Sequence, residues 1–311
     1  MGEHPIELVV DPAEDGLRLD QFVLRRLGGI SRGSVRRLLE RRQILVQGRF
    51  QPKGTRLRAG QQVLVASVAH SERPLPQPEL ELDVLAVQDD LVAINKAEGM
   101  PCHPLVPGET DTVANALAAL FPECVEASAE PREGGLVHRL DWSTSGVLLA
   151  ARSRAAYGRL RGAFSGGHVI KHYLALVEGT LDAAGRVESG LRTVPGDRTR
   201  MEVTRATAGG RTAETRFSPL ERLGERTLVH VVCTTGHRHQ VRVHLAHVGH
   251  PLAGDERYGG LALEGDVGAL LHAARVVLRG EGSVFDAPLP AHRRQLLRAL
   301  GATVLGLPRD V

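Results

Sequence analysis

Asp141 stands in the run His138-Arg139-Leu140-Asp141-Trp142-Ser143-Thr144-Ser145-Gly146, between a basic stretch and a turn-forming one. Gly134-Gly135-Leu136-Val137 precedes it, and the apolar run Val147-Leu148-Leu149-Ala150-Ala151 follows. A carboxylate on a tight loop between two buried segments is held by a rigid scaffold, which is where reactive groups tend to sit. Two uses of Asp141 follow from the residues alone: it caps its own backbone in an Asx-turn, or it is a reactive group. A second cluster, His237, His239, His244, His247 and His250, invites a metal reading and hence a zinc-dependent nucleic-acid hydrolase. No His-Glu-x-x-His occurs, and no Asp, Glu or Cys lies between these histidines, so no metal is expected.

The elements that position these groups are readable from periodicity. Strands are expected over 84–87, 91–95, 147–151, 170–177, 213–219 and 227–233, and helices over 112–120, 153–164, 238–248 and 290–300. Strands and helices do not alternate regularly, which excludes a doubly wound parallel sheet. The fold class expected is α+β with a central mixed, mostly antiparallel sheet.

Charge divides the chain. Residues 16–65 hold twelve Lys/Arg against two Asp/Glu, a net +10, so the other 261 residues carry −7 within the overall +3. A polyanion-binding module on a mildly acidic body is the expectation. Leu19, Phe22, Val23 and Leu27 are spaced for one helix, stopped by Gly28-Gly29. Ser31 is the N-cap expected for a second helix over 32–42, with Val35, Leu38 and Leu39 on its apolar side and Arg32, Arg36, Arg37, Arg41 and Arg42 elsewhere. Ile44-Leu45-Val46, a Gln47-Gly48 turn and Gln62-Val63-Leu64-Val65 read as strands and turns. Residues 17–65 resemble the RNA-binding module first seen in ribosomal protein S-four. That resemblance implies phosphate contacts by Arg32, Arg36, Arg37 and Arg41. Three prolines at alternate positions, Pro74, Pro76 and Pro78, mark 70–82 as a semi-rigid linker. The domains expected are therefore 1–69, a small α/β RNA-binding domain; 70–82, the linker; and 83–311, the catalytic body.

Only Lys53, Lys96 and Lys171 are lysines. Cys102, Cys124 and Cys233 form no Cys-x-x-Cys pair and read as isolated core thiols. No stretch approaches the roughly 18 apolar residues of a membrane span, and the first twenty residues lack signal-peptide features. A cytoplasmic protein without membrane contact is expected, with a monomer favoured.

His138-Arg139-Leu140-Asp141-x-x-Thr144-Ser145-Gly146 resembles the active-site signature of the RluA family of pseudouridine synthases. Three further segments follow in that family's order: Asn95-Lys96-Ala97-Glu98-Gly99, with Ala97 where Pro is usual; Lys171-His172-Tyr173-Leu174-Ala175; and Thr235-Gly236-His237-Arg238-His239-Gln240-Val241-Arg242, followed by His250-Pro251 and Gly254-Asp255. The resemblance implies a pseudouridine synthase fold and conversion of uridine to pseudouridine without metal or redox cofactor. It makes Asp141 the nucleophile, on the sugar or on the ring, Arg242 its cationic partner, and Tyr173 the base that removes the carbon-5 proton. Arg139 would fill the space left by a flipped uridine. His138, Thr144, Lys171, His239 and Gln240 would complete the substrate site, with His138 orienting rather than transferring protons. Trp142-Ser143 and His237-Arg238 depart from the family pattern and bear on substrate contacts. Large-subunit ribosomal RNA is the expected substrate, with tRNA as the alternative. The rival outside this class is an inactive ribosome-assembly RNA-binding protein.

Overall fold

A computed structural model describes residues 5–27, 32–65, 73–128, 130–204 and 210–308. The helix stop at Gly28-Gly29, the N-cap at Ser31 and residues 70–72 of the expected linker lie outside the described residues.

Apolar spacing over 17–65 builds a core of its own. In order come β1 (Ile6–Val9), α1 (Leu19–Leu27), α2 (Arg32–Glu40), β2 (Ile44–Val46), β3 (Arg49–Phe50) and β4 (Gln62–Val65). The strands pair antiparallel in the order β1-β4-β2-β3. Phe22, Val23, Val35 and Leu39 from the two helices meet Ile44, Val46, Val63 and Val65 in one buried cluster. Gln47 and Gly48, both at positive φ, turn β2 into β3. Arg41 is exposed, whereas Arg36 is engaged by Glu40 at 3.5 Å and Asp111 at 4.0 Å. The side chains of Arg32 and Arg37 lie outside what is described.

Two compact units divide the chain: residues up to Glu81 with His103–Gly134, and Leu82–Cys102 with Gly135 onward. A boundary at the proline segment alone therefore misses part of the packing. In the first unit, α3 (Val113–Leu120) and α4 (Pro122–Ala127) follow residue 103. The Asn115 amide donates to the Leu75 carbonyl at 2.8 Å, and the Gln77 amide to Asp111 at 2.7 Å. These bonds tie the proline segment down, so it is not a free linker.

The second unit holds β5 (Asp83–Val87), β6 (Leu91–Lys96), β7 (Ser145–Ala151), α5 (Arg154–Ser165), β8 (Val169–Glu178), β9 (Gly185–Val194), β10 (Asp197–Thr204), β11 (Arg211–Leu223), β12 (Arg226–Cys233), α6 (Gln240–His247), β13 (Leu271–Leu278), β14 (Ser283–Asp286) and α7 (Ala291–Ala299). Its sheet runs β10-β9-β11-β12-β8-β13-β7-β6-β5, with β14 on β13. Every pairing is antiparallel except β13 with β7, where His272 faces Ser145 and Ala273 faces Gly146. The expected α+β class with a mixed, mostly antiparallel sheet is what forms. Strands β9, β10, β13 and β14 were not expected. β7 is buried along its whole length, as an apolar run between two partner strands requires. Gly146 permits the parallel contact, because its φ is +113° and a Cβ there would lie 2.2 Å from the Ala273 carbonyl oxygen. The Asp141 loop thus leads into an interior strand of the sheet.

Candidate active site

Main-chain and side-chain bonds fix the 138–146 loop. The Thr144 N–H donates to the Asp141 carbonyl at 3.1 Å, so the main chain closes the turn. The Asp141 carboxylate is left for other work, and the Asx-turn reading falls away. Two buried cations then hold the next two carbonyls. Lys96, at the end of β6 and 1% exposed, donates to the carbonyls of Ala97 (2.7 Å), Met100 (2.8 Å) and Trp142 (3.3 Å). Burial pulls its pKa down to about 8, against the upward pull of Cys102, Glu98 and Asp141. Arg293 of α7, fully buried, donates to the carbonyls of Ser143 (2.9 Å) and Leu271 (2.9 Å), to the Ser145 hydroxyl (3.1 Å) and to Asp266 (3.0 Å). A buried charge is tolerated only where paired or hydrogen-bonded. Here the carbonyls and Asp266 that satisfy these charges belong to the loop and its neighbours, so solvating the cations fixes the loop.

Arg242, on α6, faces two carboxylates. Asp255, 2% exposed, receives a bidentate pair from it, Nε to Oδ2 and Nη2 to Oδ1, both 2.7 Å. Asp141 receives one longer bond, Nη1 to Oδ2 at 3.3 Å. Arg242 is thus the expected partner of Asp141, but its principal partner is Asp255. Burial disfavours the guanidinium charge, yet the Asp255 hydrogen bonds and the Asp141 charge outweigh burial and hold its pKa above the usual value. Tyr258 covers Arg242, with the guanidinium carbon 5.1 Å from its ring centre. The Tyr258 hydroxyl pairs with His239 Nδ1 at 2.8 Å and accepts the Met201 N–H of β10 at 2.9 Å. Asp255 and Tyr258 therefore belong to the site, and periodicity gave no signal for either. The nearest hint was the Gly254-Asp255 pair: a Cβ on Gly254 would lie 2.1 Å from the Gly268 carbonyl oxygen, so only glycine permits that turn.

Tyr173 is buried on β8, and among the described residues its hydroxyl has no hydrogen-bond partner. Burial raises its pKa, assisted by Cys233 and Asp141, so the phenol rests protonated. The Asp141 contribution puts the two groups within electrostatic reach. Arg139, two residues from Asp141, is exposed and has no ion-pair partner among the described residues. The buried Thr144 hydroxyl is likewise unpaired.

Other expected substrate residues are committed to the fold. His138 Nε2 accepts the Leu149 N–H at 3.0 Å, and its ring stacks on Phe164 at 4.4 Å. Burial, with Lys171 and Arg161, takes its pKa to about 3, so it orients the loop as a neutral ring. Lys171 donates to the Thr235 carbonyl at 2.6 Å, and burial lowers its pKa. Gln240 spends its amide on Glu214 O, Thr215 Oγ1 and Thr235 Oγ1, and its oxygen accepts the His237 N–H. Lys171 and Gln240 shape the turn ahead of α6. His239, at φ 56°, caps α6; burial, helped by Arg242, Arg238 and Arg257, holds its pKa at about 4. The remaining histidines separate: His237 meets Thr212 O, His244 bridges Ser189 and Thr215, and His250 meets Glu178 O. Among the described residues no three His, Cys, Asp or Glu gather to hold a metal. No described helix is long and apolar enough to cross a membrane.

A sheet that delivers one carboxylate against a doubly anchored arginine and a protonated tyrosine suits an enzyme working by nucleophile and proton transfer. The family model for RNA pseudouridylate synthase matches residues 90–247. Ribosomal large subunit pseudouridine synthase D of Nitrosomonas europaea is 32% identical over 311 residues, covering 96% of this chain and 88% of that one. An uncharacterized RNA pseudouridine synthase of Chloroflexus aurantiacus is 35% identical, covering 96% and 97%. The solved structure of human RNA pseudouridylate synthase domain containing 4 shares the fold, with a TM-score of 0.56 at 24% identity over 70% of this chain and 93% of that one. The chain belongs to the RNA pseudouridylate synthase family, and it is an isomerase acting on RNA.

Proposed function

We propose that this protein converts uridines of large-subunit ribosomal RNA to pseudouridine in the cytoplasm, with Asp141 as nucleophile. The observation that carries the assignment of Asp141 is its carboxylate: it takes no part in its own turn and lies 3.3 Å from an arginine that Asp255 already orients. The names of relatives such as the Nitrosomonas protein support the choice of RNA. Asp141 bonds transiently to the sugar or to the ring as the bond from ribose to uracil N1 breaks; the base turns, and the Asp141 bond is released as carbon 5 joins the ribose. N1 ends with a proton and carbon 5 loses one. Tyr173 can supply both halves: its phenol protonates N1, and the resulting phenolate removes the carbon-5 proton, which restores the phenol. Arg242 aims the Asp141 carboxylate. Arg139, exposed and unpaired, occupies the gap left by the flipped uridine at a cost of a few kcal/mol of unstacking. The unit containing residues 16–65 supplies sequence-independent phosphate contacts of the S-four type, with Arg32, Arg36, Arg37 and Arg41 as its cations.

The test is incubation with an unmodified large-subunit rRNA transcript, followed by chemical mapping of pseudouridine. Discrete modified positions are expected. An unmodified transcript, with tRNA converted under the same conditions, would move the assignment to tRNA.

A further inference from the structure

Trp142 follows Asp141 and has no part in the proposed chemistry. It is 53% exposed, and in the second unit it is the only exposed large aromatic among the described residues. Its main chain is immobilised: the carbonyl accepts the Gly99 N–H at 2.8 Å and the Lys96 ammonium at 3.3 Å. The indole edge lies against bare backbone, since a Cβ on Gly99 would sit 3.8 Å from Trp142 Cζ2. The ring is therefore held out from the loop that carries the reactive carboxylate instead of folded into the core. Arg139, exposed and unpaired, stands on the other side of Asp141 in the chain. A cation and a flat ring flanking the reacting group match the phosphate and the base of a single-stranded nucleotide.

We propose that Trp142 forms a base-stacking subsite for a nucleotide adjacent to the uridine being isomerised, and so contributes to substrate choice. The inference rests on the RNA-modifying reading above. Stacking uses the face that every base possesses, so the subsite adds affinity without demanding one base identity. A single pre-positioned indole loses little rotamer freedom on binding, which favours this use over a flexible side chain.

The chain contains one tryptophan, so its intrinsic fluorescence reports this site directly. Titration with a single-stranded oligouridylate should quench that emission by more than half at saturation. The same backbone carrying abasic residues should bind through its phosphates and quench little. Kinetics on the large-subunit rRNA transcript separate contact from positioning. Trp142→Ala should raise KM roughly 5- to 100-fold with kcat within twofold, and Trp142→Phe should recover most of the affinity. Equal quenching by the abasic chain, saturable binding without quenching, or a Trp142→Ala defect confined to kcat would each overturn the proposal. A wild-type protein that forms no pseudouridine in the transcript, yet shows the base-dependent quench, would refute the substrate assignment and leave the stacking subsite standing.

Discussion

Arg242 should prove coupled to Asp255 in stability and to Asp141 in catalysis, and a pair of double-mutant cycles can separate the two. At an effective dielectric of 20, an ion pair at 3.3 Å has a gross attraction of about 5 kcal/mol and one at 2.7 Å about 6 kcal/mol. Distance alone therefore does not rank the partners. Burial and geometry do. Asp255 is 2% exposed and receives two bonds of 2.7 Å, whereas the Asp141 side chain is 17% exposed and receives one of 3.3 Å. Removing one member of a buried pair strands the other charge and costs roughly 3–5 kcal/mol, while a half-open pair is worth about 1 kcal/mol or less. Equilibrium urea unfolding of Asp255→Asn, Arg242→Met and the double variant should give a coupling of about 2–3 kcal/mol. The corresponding cycle with Asp141→Asn should give under 1 kcal/mol. Turnover should rank differently: Asp255→Asn frees Arg242 to shift onto Asp141, and a misplacement near 1 Å costs about 100-fold in kcat. A stability coupling to Asp141 as large as that to Asp255 would refute this division of labour.

Asp141→Asn keeps the size of the side chain and removes its charge; tritium release from carbon-5-labelled RNA should vanish while RNA affinity stays within a few-fold. Tyr173→Phe removes a hydroxyl that makes no hydrogen bond among the described residues, so thermal stability should hold while kcat falls about 100-fold or more. Lys96, whose pKa burial brings to about 8, should lose its proton as pH rises through that value. A neutral amine cannot donate to three carbonyls, so kcat should decline above about pH 8; because the folded-state pKa is depressed, the same titration makes the Lys96 contribution to stability more favourable as pH rises from about 8 toward 10.5. Opposite movements of kcat and unfolding midpoint across that range check both signs. Replacing Arg36 and Arg41 together with Ala should reduce the log–log salt slope of RNA binding by about 1–2, since each phosphate that a cation neutralises adds roughly 0.9 to it.

Periodicity passed over β10, which has no fully buried residue, and also over β13, which is largely buried. β10, with the sequence Asp197-Arg198-Thr199-Arg200-Met201-Glu202-Val203-Thr204, has no fully buried residue. It exists because β9 pairs with it and because Tyr258 and Arg257 hold Met201 N–H and Thr199 O. No hydrophobic alternation records such bonds. β13 is apolar enough to be a strand, but its parallel contact with β7 depends on Gly146, a backbone condition. In the site, the family-like spacing brought out Asp141, Tyr173, Arg242 and the Gly254-Asp255 pair, whereas Arg293 acts through partners distant in sequence. Arg293 lies 150 residues from Ser143, whose carbonyl it holds, and the sequence of α7 reads as an ordinary basic helix. Lys96 was nearer to discovery. In a chain with three lysines, two, Lys96 and Lys171, are buried, and each donates to backbone carbonyls.

The three cations around the Asp141 loop, two of them fully buried, show why the enzyme tolerates their cost. Lys96, Arg293 and Arg242 come from β6, α7 and α6, elements that do not share a hairpin or a turn. Each desolvated charge must recover its lost hydration from fixed dipoles. Carbonyls of Trp142 and Ser143 supply it for the first two, and Asp255 for the third. An apolar core could hold the same loop, but it would not specify which carbonyl points where. Hydrogen bonds from fixed cations do, and they leave the Asp141 carboxylate with one partial partner at 3.3 Å. The nucleophile role proposed for Asp141 needs that condition: positive charge nearby, and lone pairs not already consumed. The Asp255 carboxylate satisfies Arg242 so that Asp141 does not have to.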